Sequence, residues 1–151
     1  MDHDLKFPIS AQRLIPHRPP MRLVERLLEI DNDGGVVESV PLSGSESRLF
    51  DKRDNAEIPL FGELIAQAYA AIKGYHDLSR GISIQRGFLV GIRKVALMGP
   101  IPRYEKLRIR VKTSGEFGGF YLADGEILHE DRLIAAGSIK LWASGAEKET
   151  K

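Results

Sequence analysis

The sequence predicts an α+β domain in which an antiparallel sheet wraps one long central helix. Three observations carry this expectation. The run from Pro59 to Tyr75 is apolar on nearly every side, the chain from Leu107 to Ala143 reads as successive strands divided by polar turns, and a hairpin signal precedes both. A parallel βαβ arrangement would need several helices between its strands, and only one long helix is legible.

The hairpin comes first in the chain. Met21 to Asp31 is rich in Leu, Val and Ile and runs into Asn32-Asp33-Gly34-Gly35, a turn signal, before a second apolar run begins at Val36. Ser43 to Glu57 is polar with clustered charge and is expected to form a loop over the surface. In the helix that follows, Pro59 suits the first turn and Gly74 suits the end. Between Leu60 and Ile72 the only strongly polar side chains are Glu63 and Gln67, so the helix must be largely enclosed by protein. Ile84 to Met98 reads as a strand interrupted by Gly87 and Gly91, and Gly99-Pro100 closes it. Leu107, Ile109 and Val111 alternate with Arg108, Arg110 and Lys112, which makes a strand with one dry and one wet face. Phe120 to Leu128 and Leu133 to Ala143 follow as further strands around the polar turn His129-Glu130-Asp131-Arg132.

Residues 1–151 are expected to form a single domain, with 146–151 as a flexible tail. Lys plus Arg number 22 against 21 Asp plus Glu, a balance that suggests neither nucleic acid nor membrane as partner. No window approaches the roughly 18 consecutive apolar residues of a membrane helix. The absence of cysteine rules out disulfides, thiolate nucleophiles and cysteine metal ligands, and fits a cytoplasmic location. The short N-terminus, mixed in charge, lacks the apolar stretch of a secretion signal.

Glu63 is the most informative residue. A carboxylate in so apolar a helix is costly to bury and demands a partner, a bound proton or solvent from a pocket. It falls within about the first predicted turn, near free amide groups, and Gln67 lies one turn later on the same face. The bland alternative is that Glu63 merely hydrogen-bonds the helix start. Of the histidines, His3, His76 and His129 are expected in solvated positions. His17 differs, because Pro16, Pro19 and Pro20 stiffen the backbone around it and Arg18. A structural hydrogen-bonding role is its alternative. There is no nucleophile elbow, zinc helix, phosphate loop or dinucleotide turn.

Leu14 to Asp31, with its Pro16-His17-Arg18, resembles the opening segment of β-hydroxyacyl-acyl-carrier-protein dehydratases. Glu63-Leu64-Ile65-Ala66-Gln67 is similar to their central helix, and Gly87 through Pro100 to the strand after it. The nearest likeness is to the dehydratase-like proteins of aryl polyene pigment clusters. The resemblance implies a hotdog fold, a dimer with its active site at the subunit interface, and dehydration of a 3-hydroxyacyl thioester on acyl carrier protein to the trans-2-enoyl thioester, without metal or cofactor. It implies Glu63 as the acid, and Gln67, Phe88 and Gly91 as substrate-binding residues. In the better-known members a histidine of a Gly-His-Phe-Pro motif acts with the helix acid across the two chains. Here that region reads Ser47-Arg48-Leu49-Phe50-Asp51. Either His17 takes the role of base, or the chain is a non-catalytic hotdog subunit that binds acyl groups or completes a heterodimer. Thioester hydrolysis by a helix carboxylate is a further alternative.

Overall fold

The computed structural model of the chain describes residues 6–18, 21–41, 58–82, 87–99, 102 and 105–143; of residues 58–60, 87, 88 and 143 it describes the backbone. Strands β1 (Ile9–Ser10), β2 (Val24–Ile30) and β3 (Gly34–Ser39) precede the helix α1 (Ile58–Ser79), and β4 (Gly87–Leu97), β5 (Arg108–Phe117), β6 (Phe120–His129) and β7 (Arg132–Ala143) follow it. They form one antiparallel sheet in the order β1-β2-β3-β5-β6-β7-β4. The expected loop at 43–57 and tail at 146–151, and His3, lie outside the described residues.

Hydrophobic burial fixes the helix against the sheet. Phe61, Leu64, Ile65, Ala68, Tyr69, Ala71 and Ile72 of α1 are buried with Leu27, Val37, Ile109, Val111, Ala123, Ile127, Ile139 and Leu141 of the strands. Each large aliphatic or phenyl group so enclosed contributes about 1.5–3 kcal/mol. The wet face of β5 is as expected: Arg108, Arg110 and Lys112 are exposed between buried Ile109 and Val111.

Two of the boundaries that differ from expectation fall at glycines. Gly34 and Gly35 belong to β3, and the turn is Asp31-Asn32-Asp33, where the Asp31 carboxylate accepts from the amides of Asp33 (3.0 Å) and Gly34 (2.7 Å). These glycines serve close approach: a Cβ on Gly34 would overlap the Val111 carbonyl, and one on Gly35 the Glu29 carbonyl. The helix also runs past Gly74 to Ser79. It ends at Gly81, whose φ of +73° lets its amide reach the Leu78 carbonyl (3.0 Å) and the Ile82 amide the Asp77 carbonyl (2.8 Å), a Schellman motif.

Where α1 crosses the sheet, side chains are missing so that it can come near. A Cβ on Gly125 of β6 would stand 2.6 Å from Cγ2 and 2.9 Å from Cγ1 of Ile65. On the helix side, a Cβ on Gly62 would stand 2.6 Å from Cγ1 of Ile92 in β4. This pins the turn of α1 that carries Glu63 against β4. By contrast, an added carbon on Gly91 meets nothing within 4 Å. Gly125→Ala is therefore expected to cost about 1–3 kcal/mol through overpacking against Ile65. Gly91→Ala should stay within about 0.5 kcal/mol, and urea unfolding of the two variants checks the contrast.

Candidate active site

The site is built where the approach to β2 meets the second turn of α1. Glu63 is the sixth residue of the helix rather than part of its first turn, because α1 begins at Ile58. It thus lies beyond the free amides of the helix start, and a neighbouring side chain holds it instead. That neighbour is Gln67, 1% exposed. Its Nε2 donates to Glu63 Oε2 and to the Met21 carbonyl, each at 2.9 Å, and its Oε1 accepts from the Leu23 amide at 2.7 Å. One buried amide thereby joins the carboxylate to the chain just ahead of β2.

The same stretch carries His17. Arg18 Nη1 donates to the carbonyls of Ile15 and His17, each at 2.8 Å, and the Arg18 carbonyl accepts from the amides of Met21 (2.9 Å) and Arg22 (3.1 Å). So held, His17 places its Nε2 3.8 Å from Glu63 Oε2. The side chains are 29% and 32% exposed, so both reach a surface that solvent or a ligand can touch. The separation is too long for a hydrogen bond. It suits two groups that work on neighbouring atoms of one substrate. His17 Nδ1 is buried without a hydrogen-bond partner.

Of the residues singled out from sequence, Glu63, Gln67 and His17 come together. Gly91 lies on β4 opposite Lys140, beside Ile92, the residue packed on Gly62. Phe88 pairs through its backbone with Trp142, and its side chain lies outside the described residues. Two other histidines differ from expectation. His129 ends β6 and has Nε2 2.6 Å from Glu105 Oε1, only 15% exposed. His76 sits in the last turn of α1, not after it. Burial, and secondarily the charges of Arg80 and Lys73, hold His76 below its ordinary 6.5 against an opposing pull from Asp77. Among the described residues, the three convergent metal-ligand side chains are Glu105, His129 and Glu130, and neither Glu63 nor His17 is one of them. Sequence reasoning missed the backbone groups of Met21 and Leu23, which no side-chain signal could reveal, and the Arg18 clamp, for which the neighbouring prolines were the one hint.

A cleft of about 380 Å³ opens at the far end of α1, lined by Tyr69, Lys73, His76, Asp77, Thr113 and Tyr121 among others. Thr113 Oγ1 donates to the Tyr69 hydroxyl (3.1 Å), and Lys73 Nζ lies 5.2 Å from the centre of the Tyr121 ring.

A long helix enclosed by an antiparallel sheet, with an acid 3.8 Å from an imidazole at one end, defines a hotdog-fold protein with a candidate acid–base pair. The profile of the ApeP-like dehydratases, described as ApeP dehydratase, matches residues 9–150, and the chain belongs to that family. Among its relatives is the 3-hydroxyacyl-acyl-carrier-protein dehydratase FabZ of Campylobacter fetus, 24% identical over 140 residues, 87% of this chain and 93% of the relative. The FabZ of a Geobacillus species is 30% identical over 135 residues, 84% of this chain and 92% of the relative. Among solved structures, the dehydratase heterocomplex ApeI:P from Xenorhabdus doucetiae shares the fold with a TM-score of 0.77 at 22% identity, covering 94% of this chain and 95% of that one. The E. coli PaaI protein of the phenylacetic acid degradation operon shares it at a TM-score of 0.56 and 13% identity, over 77% of this chain and 80% of that one. Among the described residues, no helix is long and apolar enough to cross a membrane.

Two outcomes follow from this geometry. Gln67→Leu leaves the buried Leu23 amide without its acceptor and is expected to cost about 1–3 kcal/mol in urea unfolding. Because the folded-state value of His76 is depressed, the unfolded chain takes up the proton first as pH falls. That contribution to stability is intact above about 6.5 and shrinks below it, so from about pH 7.5 to about pH 5.5 the wild-type melting temperature should drop further than that of His76→Gln.

Proposed function

We propose that this chain removes water from a 3-hydroxyacyl thioester presented on acyl carrier protein, giving the trans-2-enoyl thioester, with Glu63 as general acid and His17 as general base. The observation that carries the reading is the separation of 3.8 Å between His17 Nε2 and Glu63 Oε2. The two atoms that react, the C2 hydrogen and the C3 hydroxyl, sit on neighbouring carbons. One base and one acid side by side can therefore serve both at once. His17 Nε2 takes the C2 proton, the released electron pair forms the C2–C3 double bond, and the C3–O bond breaks as Glu63 gives its proton to the departing hydroxyl. Water leaves. His17 then holds the proton that Glu63 lacks, and its return resets the pair.

Gln67 acts on the substrate through Glu63. Both its amide hydrogens and its carbonyl oxygen are engaged within the chain. It fixes where the acid stands, while Phe88 and Gly91 line the acyl thioester. The open space around Gly91, one residue from the Ile92 contact with Gly62, supports that placing of Gly91.

The partner we propose is a second hotdog subunit on the outer edge of β4, the last strand of the sheet among the described residues. Val90 (52%), Leu97 (41%) and Met98 (54%) are exposed in or beside that strand, and exposed apolar groups on an open edge favour strand addition. The ApeI:P structure is a dehydratase heterocomplex, which supports a second hotdog subunit as partner. The second reading is a subunit that needs the partner's own chemistry. It is favoured by the stretch Ser47 to Asp51, which lacks the histidine of the better-known dehydratases.

Dehydration of a 3-hydroxyacyl thioester, followed by enoyl formation with free thiol measured in parallel, separates these readings from thioester hydrolysis. Glu63→Gln and His17→Ala are each expected to lower kcat by about 10²–10⁴-fold, with the fold retained. Undiminished turnover in both variants would end the assignment. Activity that appears only when a second hotdog chain is added, and survives His17→Ala, would favour the second reading.

A further inference from the structure

Whether the acid and base of one reaction centre come from one chain or two depends on where each is anchored. We infer that in this protein Glu63 and His17 act in cis: each active site draws both groups from the same chain, and a neighbouring subunit supplies neither. This rests on the dehydratase reading above and specifies how its site is assembled.

The anchoring of the His17 segment carries the inference. His17 lies on a short stretch fixed at both flanks. On its N-terminal side, Ile15 is 2% exposed in the core, and its carbonyl is held by Arg18 Nη1 at 2.8 Å. On its C-terminal side, the Met21 carbonyl and the Leu23 amide are bound by Gln67, one helical turn from Glu63 on the same chain. To serve another chain's carboxylate, the imidazole would have to swing away from a carboxylate 3.8 Å distant. Moving the segment itself toward another chain would instead break those contacts, leaving a 1%-exposed amide and the Leu23 N–H without partners. The sequence agrees from another direction. The stretch ahead of the helix from which the resemblance implies a histidine working across chains reads Ser47-Arg48-Leu49-Phe50-Asp51. With His17 in cis, no histidine is needed there. A dimer of this chain with a different hotdog subunit would then keep one complete acid–base pair even if that subunit lacked both groups.

The test joins two full-length copies by a long flexible linker and compares pairs of equal composition. In one, a single copy carries both His17→Ala and Glu63→Gln while the other is intact. In the second, one copy carries His17→Ala and the other Glu63→Gln. Both contain the same two substitutions, so any cost to folding enters equally, and thermal melts check that it does. Action in cis is expected to leave the first pair with about half of the unmodified kcat and the second lower by at least about 100-fold. The reverse pattern, with activity in the second pair and none in the first, would overturn the inference. A third pair, Glu63→Gln in both copies, tests the underlying reading separately: it should be inactive, and turnover there would remove the dehydratase assignment itself.

Discussion

A single buried carboxamide organises the functional end of this molecule. Gln67 sits inside a helix that is otherwise almost wholly apolar, and an unpaired amide there would be costly. Its hydrogen bonds go to the Met21 carbonyl, the Leu23 amide and the Glu63 carboxylate, so satisfying that one side chain fixes three things together. The Met21 carbonyl and the Leu23 amide are each tied to α1, and the carboxylate is held at the same amide, 3.8 Å from His17 on the Arg18-clamped stretch just before. Buried polar groups of this kind set geometry more than they add net stability, because their hydrogen bonds replace ones made to water in the unfolded chain.

The rest of the fold lets that amide be buried. The sheet closes over α1 only because side chains are absent where the two come nearest, at Gly125 against Ile65 and at Gly62 against Ile92. The second of these contacts is one residue from Glu63, so the same close approach that seats the helix also sets the turn of α1 that carries the acid. At the opposite end of α1 the packing loosens into the cleft around Lys73 and His76. One helix therefore carries the hydrogen-bonded acid near one end and a cleft at the other.

Much of this was legible in the sequence. The helix, its two polar residues and the alternation of β5 could be read because burial imposes a pattern on side chains, and Glu63 stood out as an exception to that pattern. Glycines misled where their role depends on distant backbone. Gly34 and Gly35 look like turn residues, yet they lie in β3 under the carbonyls of Val111 and Glu29. Gly74 looks like a helix end, yet the left-handed residue that closes α1 is Gly81. The identity of the site residues could be proposed from residue type and motif, but their juxtaposition could not. Gln67 binds backbone groups 44 and 46 positions away, and main-chain amides and carbonyls leave no trace in residue identity.

In the proposed dehydration, Glu63 and His17 of one chain face adjacent atoms of a single substrate. A crystal structure of the Glu63→Gln protein holding an unreacted 3-hydroxyacyl thioester tests it most directly. The expected result is a substrate hydroxyl about 2.6–3.2 Å from the side chain at position 63, with the C2 hydrogen directed at Nε2 of the same chain's His17. A thioester bound with its hydroxyl away from position 63, or with C2 facing a group other than His17, would contradict it.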